Sequence, residues 1–176
     1  MADVISAQGT GEQLLSEQET VALIELMFFA YRDFVSDPDE ILGTYGFGRA
    51  HHRVLHFVGR DPGMTVQRLL DILRITKQSL GRVLKELIGK GYIFQKEGEA
   101  DRRQRLLYLT EAGEELRQRL MDPQIGRIRR AVALPEGDAA HLYRTVLYRM
   151  VSPANRETVR DWIGRAGLPG DAQDGG

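Results

Sequence analysis

Between Thr76 and Lys85 the chain reads TKQSLGRVLK, and the residues that follow keep the same periodicity. Leu80, Val83, Leu84 and Leu87 recur at i, i+3, i+4 and i+7, the stripe of a helix lying on a core. That stripe forces Lys77, Gln78, Gly81, Arg82 and Lys85 outward. Arginine and lysine can donate to guanine O6 and N7, and glutamine can pair with adenine through two bonds. The hydroxyls of Thr76 and Ser79 can reach base edges or phosphate. Some twenty residues on, the polar stretch GEADRRQ and its flank carry Asp101, Arg102, Arg103 and Arg105. A guanidinium on an exposed tip can enter a narrow minor groove and respond to its negative potential. Asp101 would be repelled by phosphate unless it is used internally, so its expected task is to hold Arg103 in position.

Whole-chain charge hides this pattern. The 176 residues hold 24 Lys and Arg against 25 Asp and Glu, a net charge of −1. The window from Arg74 to Arg105 is +5, contains all four lysines, and leaves −6 for the remainder. A positive lobe on a negative body concentrates the field that attracts phosphate.

Other chemistries find little support. Cysteine is absent, which excludes a disulfide scaffold, a Cys-ligated zinc site and a thiol oxidant sensor. GxSxG, Walker-type and GxGxxG patterns are missing, and the carboxylates fall at helix starts where capping explains them, so no enzyme and no cofactor is expected. The longest apolar stretch, Val21 to Tyr31, is interrupted by Glu25 and is too short to cross a bilayer. A bacterial cytoplasmic protein with no membrane partner is expected.

The elements that must position these residues can be read in order. Residues 1–15 and 167–176 carry nothing to pack and are expected to be disordered. Residues 16–46 read as a dimerisation helix and loop. Ser16 and Glu19 form a capping box, the helix runs to Val35, and SDPDEILGTYG forms the loop. Its apolar positions cover most of the circumference, which suits packing on two surfaces, its own domain and a second subunit. Residues 47–109 hold a helix from Phe47 to Val58, two short helices capped by Thr65 and Thr76, and a hairpin pairing Tyr92 to Lys96 with Arg105 to Leu109. Residues 110–166 read as C-terminal dimerisation helices, the first capped by Thr110 and broken or kinked at Asp122-Pro123. Leu142, Val146, Leu147, Met150, Trp162 and Ile163 extend the dimer surface. The fold class is therefore mainly α with a small β-hairpin wing, a winged helix-turn-helix whose second short helix enters the major groove.

From RAHHRVLHF through ITKQSLGRVLK to LTEAGEEL the sequence resembles the MarR family of bacterial transcriptional regulators, and most closely its PetP-like branch. The specific signature is D-x-R, an apolar strand and Leu-Thr-x-x-Gly, met by Asp101, Arg103, Leu107, Leu109, Thr110 and Gly113. The resemblance implies a homodimer with interlocking terminal helices, a DNA-reading helix from Thr76, and Arg103 in the minor groove. It also implies a small-ligand site between the dimer helices and the winged region. Gly81 stands where members often carry a hydroxyl residue, so one polar contact is missing. A two-fold protein calls for a pseudo-palindromic, inverted-repeat operator on double-stranded DNA, and a ligand-responsive repressor is the expected mode.

For the effector pocket the candidates are Tyr31, Arg32, Thr44, Tyr45, Arg49, His52, His56 and Phe57, a mixture suited to a small aromatic or acidic molecule. His52 and His56 also stand at i, i+4, a spacing that can serve a metal if another helix supplies a carboxylate, or a pH response. No metal site is expected. His51, on the apolar stripe, reads as a satisfied interior residue. The alternatives are a winged-helix module that docks on another protein, or a metal- or pH-responsive regulator using His52 and His56.

Overall fold

The computed structural model describes residues 15–98, 101, 103–135 and 137–164. The expectations of disorder for 1–14 and 167–176, and the assignment of Arg102 to DNA, lie outside the described residues.

Helix α1 (Glu17–Tyr45) begins at the expected capping box: Ser16 Oγ accepts from the Glu19 N–H at 3.2 Å, and Glu19 Oε2 accepts from the Ser16 N–H at 2.9 Å. It does not stop at Val35. The segment SDPDEILGTYG, expected as a loop, is helical to Tyr45 despite Pro38. Proline removes the donor that would reach the Phe34 carbonyl, four residues back. Gln124, buried on a helix ninety residues away, donates its Nε2 to that carbonyl at 3.3 Å. Pro38 and Leu42 are themselves buried, so tertiary packing keeps the helix going. It ends where Gly46 takes φ +67, with the Phe47 N–H on the Leu42 carbonyl and the Gly46 N–H on Gly43, a Schellman closure that glycine makes easy.

Helix α2 (Arg49–Arg60) starts two residues later than expected, and strand β1 (Met64–Thr65) leads into α3 (Val66–Leu73). Thr65 caps α3 and Thr76 caps α4 (Lys77–Gly89), as the sequence suggests. Strands β2 (Ile93–Glu97) and β3 (Arg105–Leu109) form the hairpin, with Ile93 opposite Leu109 and Glu97 opposite Arg105. The two-residue β1 pairs with the other edge of β3 and makes a three-stranded antiparallel sheet, ordered β1-β3-β2.

Helix α5 (Glu111–Val132) runs unbroken through Pro123, correcting the expected break. An interior proline costs roughly 3 kcal/mol. The burial of Leu116 and Leu120, at about 1.5–3 kcal/mol each, offsets it. Helices α6 (Ala139–Met150) and α7 (Pro153–Ile163) complete the described chain. The core joins Val54, Leu55 and Val58 of α2 to Leu69, Leu80, Leu87, Ile93 and Leu107, with Leu42 of α1 and Leu116 and Leu120 of α5 closing it from above. No helix among the described residues is long and apolar enough to cross a membrane.

Candidate nucleic-acid interface

Helix α4 buries Leu80, Val83, Leu84 and Leu87 and leaves Thr76, Lys77, Gln78, Ser79, Gly81, Arg82 and Lys85 exposed. Gln78, Arg82 and Lys85 follow one another at i, i+4 and i+7, a single outward line of amide, guanidinium and ammonium. The hydroxyl of Thr76 is used at the cap: it accepts from the Ser79 N–H at 3.1 Å and donates to Ser79 Oγ at 2.8 Å. Ser79 keeps its own hydroxyl proton to donate. A Cβ added at Gly81 would meet nothing within 4 Å, so no packing requires glycine there.

Two contacts fix this helix from behind. His51 Nδ1 accepts from the Gly48 N–H at 3.1 Å, which places the ring proton on Nε2, and Nε2 lies 3.0 Å from Glu86 Oε2. His51 is buried and stacked on Phe47, the satisfied interior residue expected of it. At the far end Lys90 Nζ donates to the Tyr45 carbonyl at 2.7 Å and sits 4.5 Å from the Phe47 ring centre. Lys90 is thus tied to the end of α1, a use that its place in the basic window does not reveal.

At the wing tip Asp101 Oδ1 accepts from the Arg103 N–H at 2.9 Å, so the carboxylate orders the backbone of Arg103. Further bonds from Gln104 N–H to Asp101 O and from Gly98 N–H to Gln104 O close the turn. Arg103 is exposed. Arg105 is engaged across the strands with Glu97 at 2.8 Å, which leaves it less available than Arg103. Lys96 lies over the stacked rings of Phe94 and Tyr108, an arrangement the sequence pattern did not single out. The Leu-Thr-x-x-Gly signature has a plain steric cause. Thr110 caps α5 and donates to the Gly91 carbonyl at 2.7 Å, and a Cβ on Gly113 would fall 2.0 Å from the Tyr92 carbonyl oxygen.

A cavity of about 560 Å³ lies among α1, α2 and α5. Of the pocket candidates it brings together Tyr31, Arg49, His52, His56 and Phe57, and adds Phe34, Val35, Pro38, Asp39, Arg53, Met121 and Gln124. Arg32, Thr44 and Tyr45 are elsewhere. Arg32 pairs with Asp33, Thr44 bonds back to the Ile41 carbonyl, and Tyr45 packs against Phe47 and Tyr92 and receives Arg119. Arg49 is held by Asp39 through contacts of 2.7 to 3.2 Å. Burial pushes the His52 imidazole below its ordinary value, and pushes His56 down to about 4 with help from the neighbouring His52, Arg117 and Arg60. Both rings are therefore neutral at pH 7. Among the described residues no group of three His, Asp or Glu side chains is placed to hold a metal ion.

Helix, turn, exposed polar helix and basic hairpin on one core define a winged helix-turn-helix of the DNA-reading kind. A family model described as MarR family matches residues 45–104. The HTH-type transcriptional regulator PetP of Rhodobacter capsulatus is 44% identical over 156 residues, spanning 89% of this chain and 94% of that protein. The chain belongs to the MarR family of DNA-binding transcriptional regulators, and is not an enzyme. The fold is also that of Streptococcus pneumoniae FabT solved in complex with DNA (TM-score 0.64, 17% identity, 82% of this chain and 99% of that one). It matches as well a mutant MarR from E. coli complexed with operator DNA (TM-score 0.57, 20% identity, 77% and 97%).

Proposed function

We propose that this chain is a homodimeric, ligand-responsive repressor that binds a pseudo-palindromic operator through α4 and the wing. In this reading residues 47–109 form the DNA-reading region, and the helices before and after it form the dimerisation body. Gln78, Ser79, Arg82 and Lys85 face the major groove, Lys77 and Thr76 stand at the phosphate edge, and Arg103 reaches the minor groove, with Asp101 ordering it and Arg105 in support. The observation that carries the reading is the outward polar line of α4, fixed from behind by Glu86 and Lys90 so that it meets DNA already oriented.

The dimer is supported by α1. From Glu17 through Arg32 every residue is exposed, including Leu23, Ile24, Leu26, Phe28 and Phe29, and Leu142, Val146 and Met150 of α6 are exposed as well. Exposed apolar side chains in this number mark a protein interface. The effector site is the cavity of about 560 Å³, within the ~300–1,000 Å³ of small-molecule sites. Its aromatic wall and its Arg49, Arg53, His52 and His56 suit a small aromatic acid. Occupancy would lower operator affinity by favouring a dimer whose recognition helices are misplaced.

Arg82→Ala should weaken operator binding by about 5- to 150-fold, and Arg103→Ala by a similar factor, while the dimer stays folded. Fluorescence anisotropy on DNA selected by the wild-type protein reads both, and wild-type affinity in both variants would remove the reading.

A further inference from the structure

Helix α7 packs against the helix-turn-helix of its own chain at two points. At its C-terminal end Trp162, expected from the sequence on the dimer surface, is instead half-buried against Phe57 of α2. The rings meet edge-on, 5.2 Å apart at 61°. Arg60 of α2 and Arg68 of α3 lie 6.0 and 5.7 Å from the indole centre, and Arg68 is further held by Asp61 at 3.0 Å. At its N-terminal end Asn155 Oδ1 accepts from Arg74 Nη2 at 2.5 Å.

Arg74 is no ordinary surface residue. It joins α3 to α4, and among the described residues it is the one non-glycine residue with positive φ, +49. A left-handed conformation costs an L-residue with a Cβ about 1–2 kcal/mol, and it persists where its surroundings hold it. The bond from Asn155 is one such hold on the turn that aims the N-terminus of α4. Phe57 meanwhile lines the cavity while it touches Trp162.

We propose that α7 is a clamp on the helix-turn-helix, and that Phe57 is the contact through which the filling of the cavity reaches that clamp. A ligand that displaces the Phe57 ring loosens Trp162, the grip of Asn155 on Arg74 weakens, and the entry to α4 relaxes. The proposal rests on the reading of α4 as the DNA helix and of the cavity as the effector site, and it names the route between them.

The test is native-state hydrogen exchange on the full chain, without DNA or ligand. Trp162→Leu and Phe57→Leu should each speed exchange at the amides of Arg74, Ser79 and Leu80 by about fivefold, the worth of one net hydrogen bond. The double variant should do little more than either alone, because both changes break one contact chain. Asn155→Ala should give the same gain at Arg74, and the emission of Trp162, the single tryptophan, should stay unshifted. Exchange that rises only within α7, or effects of Trp162→Leu and Phe57→Leu that add in full, would overturn the clamp. Failure of the DNA reading is separable: it appears as wild-type DNA affinity in both Arg82→Ala and Arg103→Ala and leaves the exchange pattern intact.

Discussion

The winged lobe and the helical body are finished to different degrees within one chain. In the lobe each element closes on a shared core, and Val54, Leu55, Val58, Leu69, Leu80 and Leu107 have no exposed surface. In the body the first half of α1 carries apolar residues around most of its circumference and, among the described residues, leaves them exposed: Leu26 is 63% exposed and Phe28 62%. Isolated helices of that length are marginal in water without tertiary packing. The lobe is closed over a core that Leu42 of α1 and Leu116 and Leu120 of α5 complete, whereas the first half of α1 is left open. In the proposed function a second copy covers it, and DNA reading divides into chemistry in the lobe and spacing in the body.

The contrast is most sharply tested where the body meets the lobe, at Gly113 of α5, which has no room to change against the Tyr92 backbone. Gly113→Ala places a methyl against the Tyr92 backbone and should cost about 3 kcal/mol or more in urea unfolding. Hydrogen exchange in the wing should rise with it, while sedimentation still reports association of whatever remains folded. On the other side, Leu26→Asp with Phe28→Asp should abolish association in sedimentation equilibrium and lower operator affinity by about 100-fold, the loss of bivalent binding. Exchange protection at Leu80 and Leu107 should survive, and its collapse would erase the distinction between the two regions. Gln124→Leu lies at the seam. It leaves the Phe34 carbonyl without its donor and should destabilise by about 1–2 kcal/mol, with fraying confined to α1 beyond Phe34.

The smallest effect is that of pH. His56 has a native value of about 4 against an ordinary 6.5, so the unfolded chain takes up its proton first as acid is added. The stability this group contributes is complete above about pH 6.5 and is lost progressively toward pH 4. Solvent screening at this part-exposed site keeps the loss to about 1 kcal/mol. Urea midpoints between pH 7 and 5 should fall for the wild type and fall less for His56→Gln.

What the sequence makes legible follows from the range of the forces involved. Helix α4 and the hairpin are local: stripe, caps at Thr65, Thr76 and Thr110, and turn residues all lie within a few positions of what they determine. The helix through Pro38 is not local, because the group that takes the place of the missing donor is Gln124, on α5. Pro123 misleads in the same way, since burial of its neighbours decides the outcome. Strand β1, at two residues, is too short to show a period and exists because β3 offers an open edge. The cavity was half legible. Positions on α2 follow from helical phase, but Thr44 and Tyr45 read as loop where a helix runs, Arg32 of the first helix turns to Asp33, and Asp39, Met121 and Gln124 arrive by tertiary packing alone.

The most direct measurement of the central claim is an unbiased selection of double-stranded DNA by the purified protein. The account predicts enrichment of an inverted repeat whose half-sites are centred about 10 bp apart, one recognition helix to each. Enrichment of a single unrepeated site, or of no sequence above background, would contradict it.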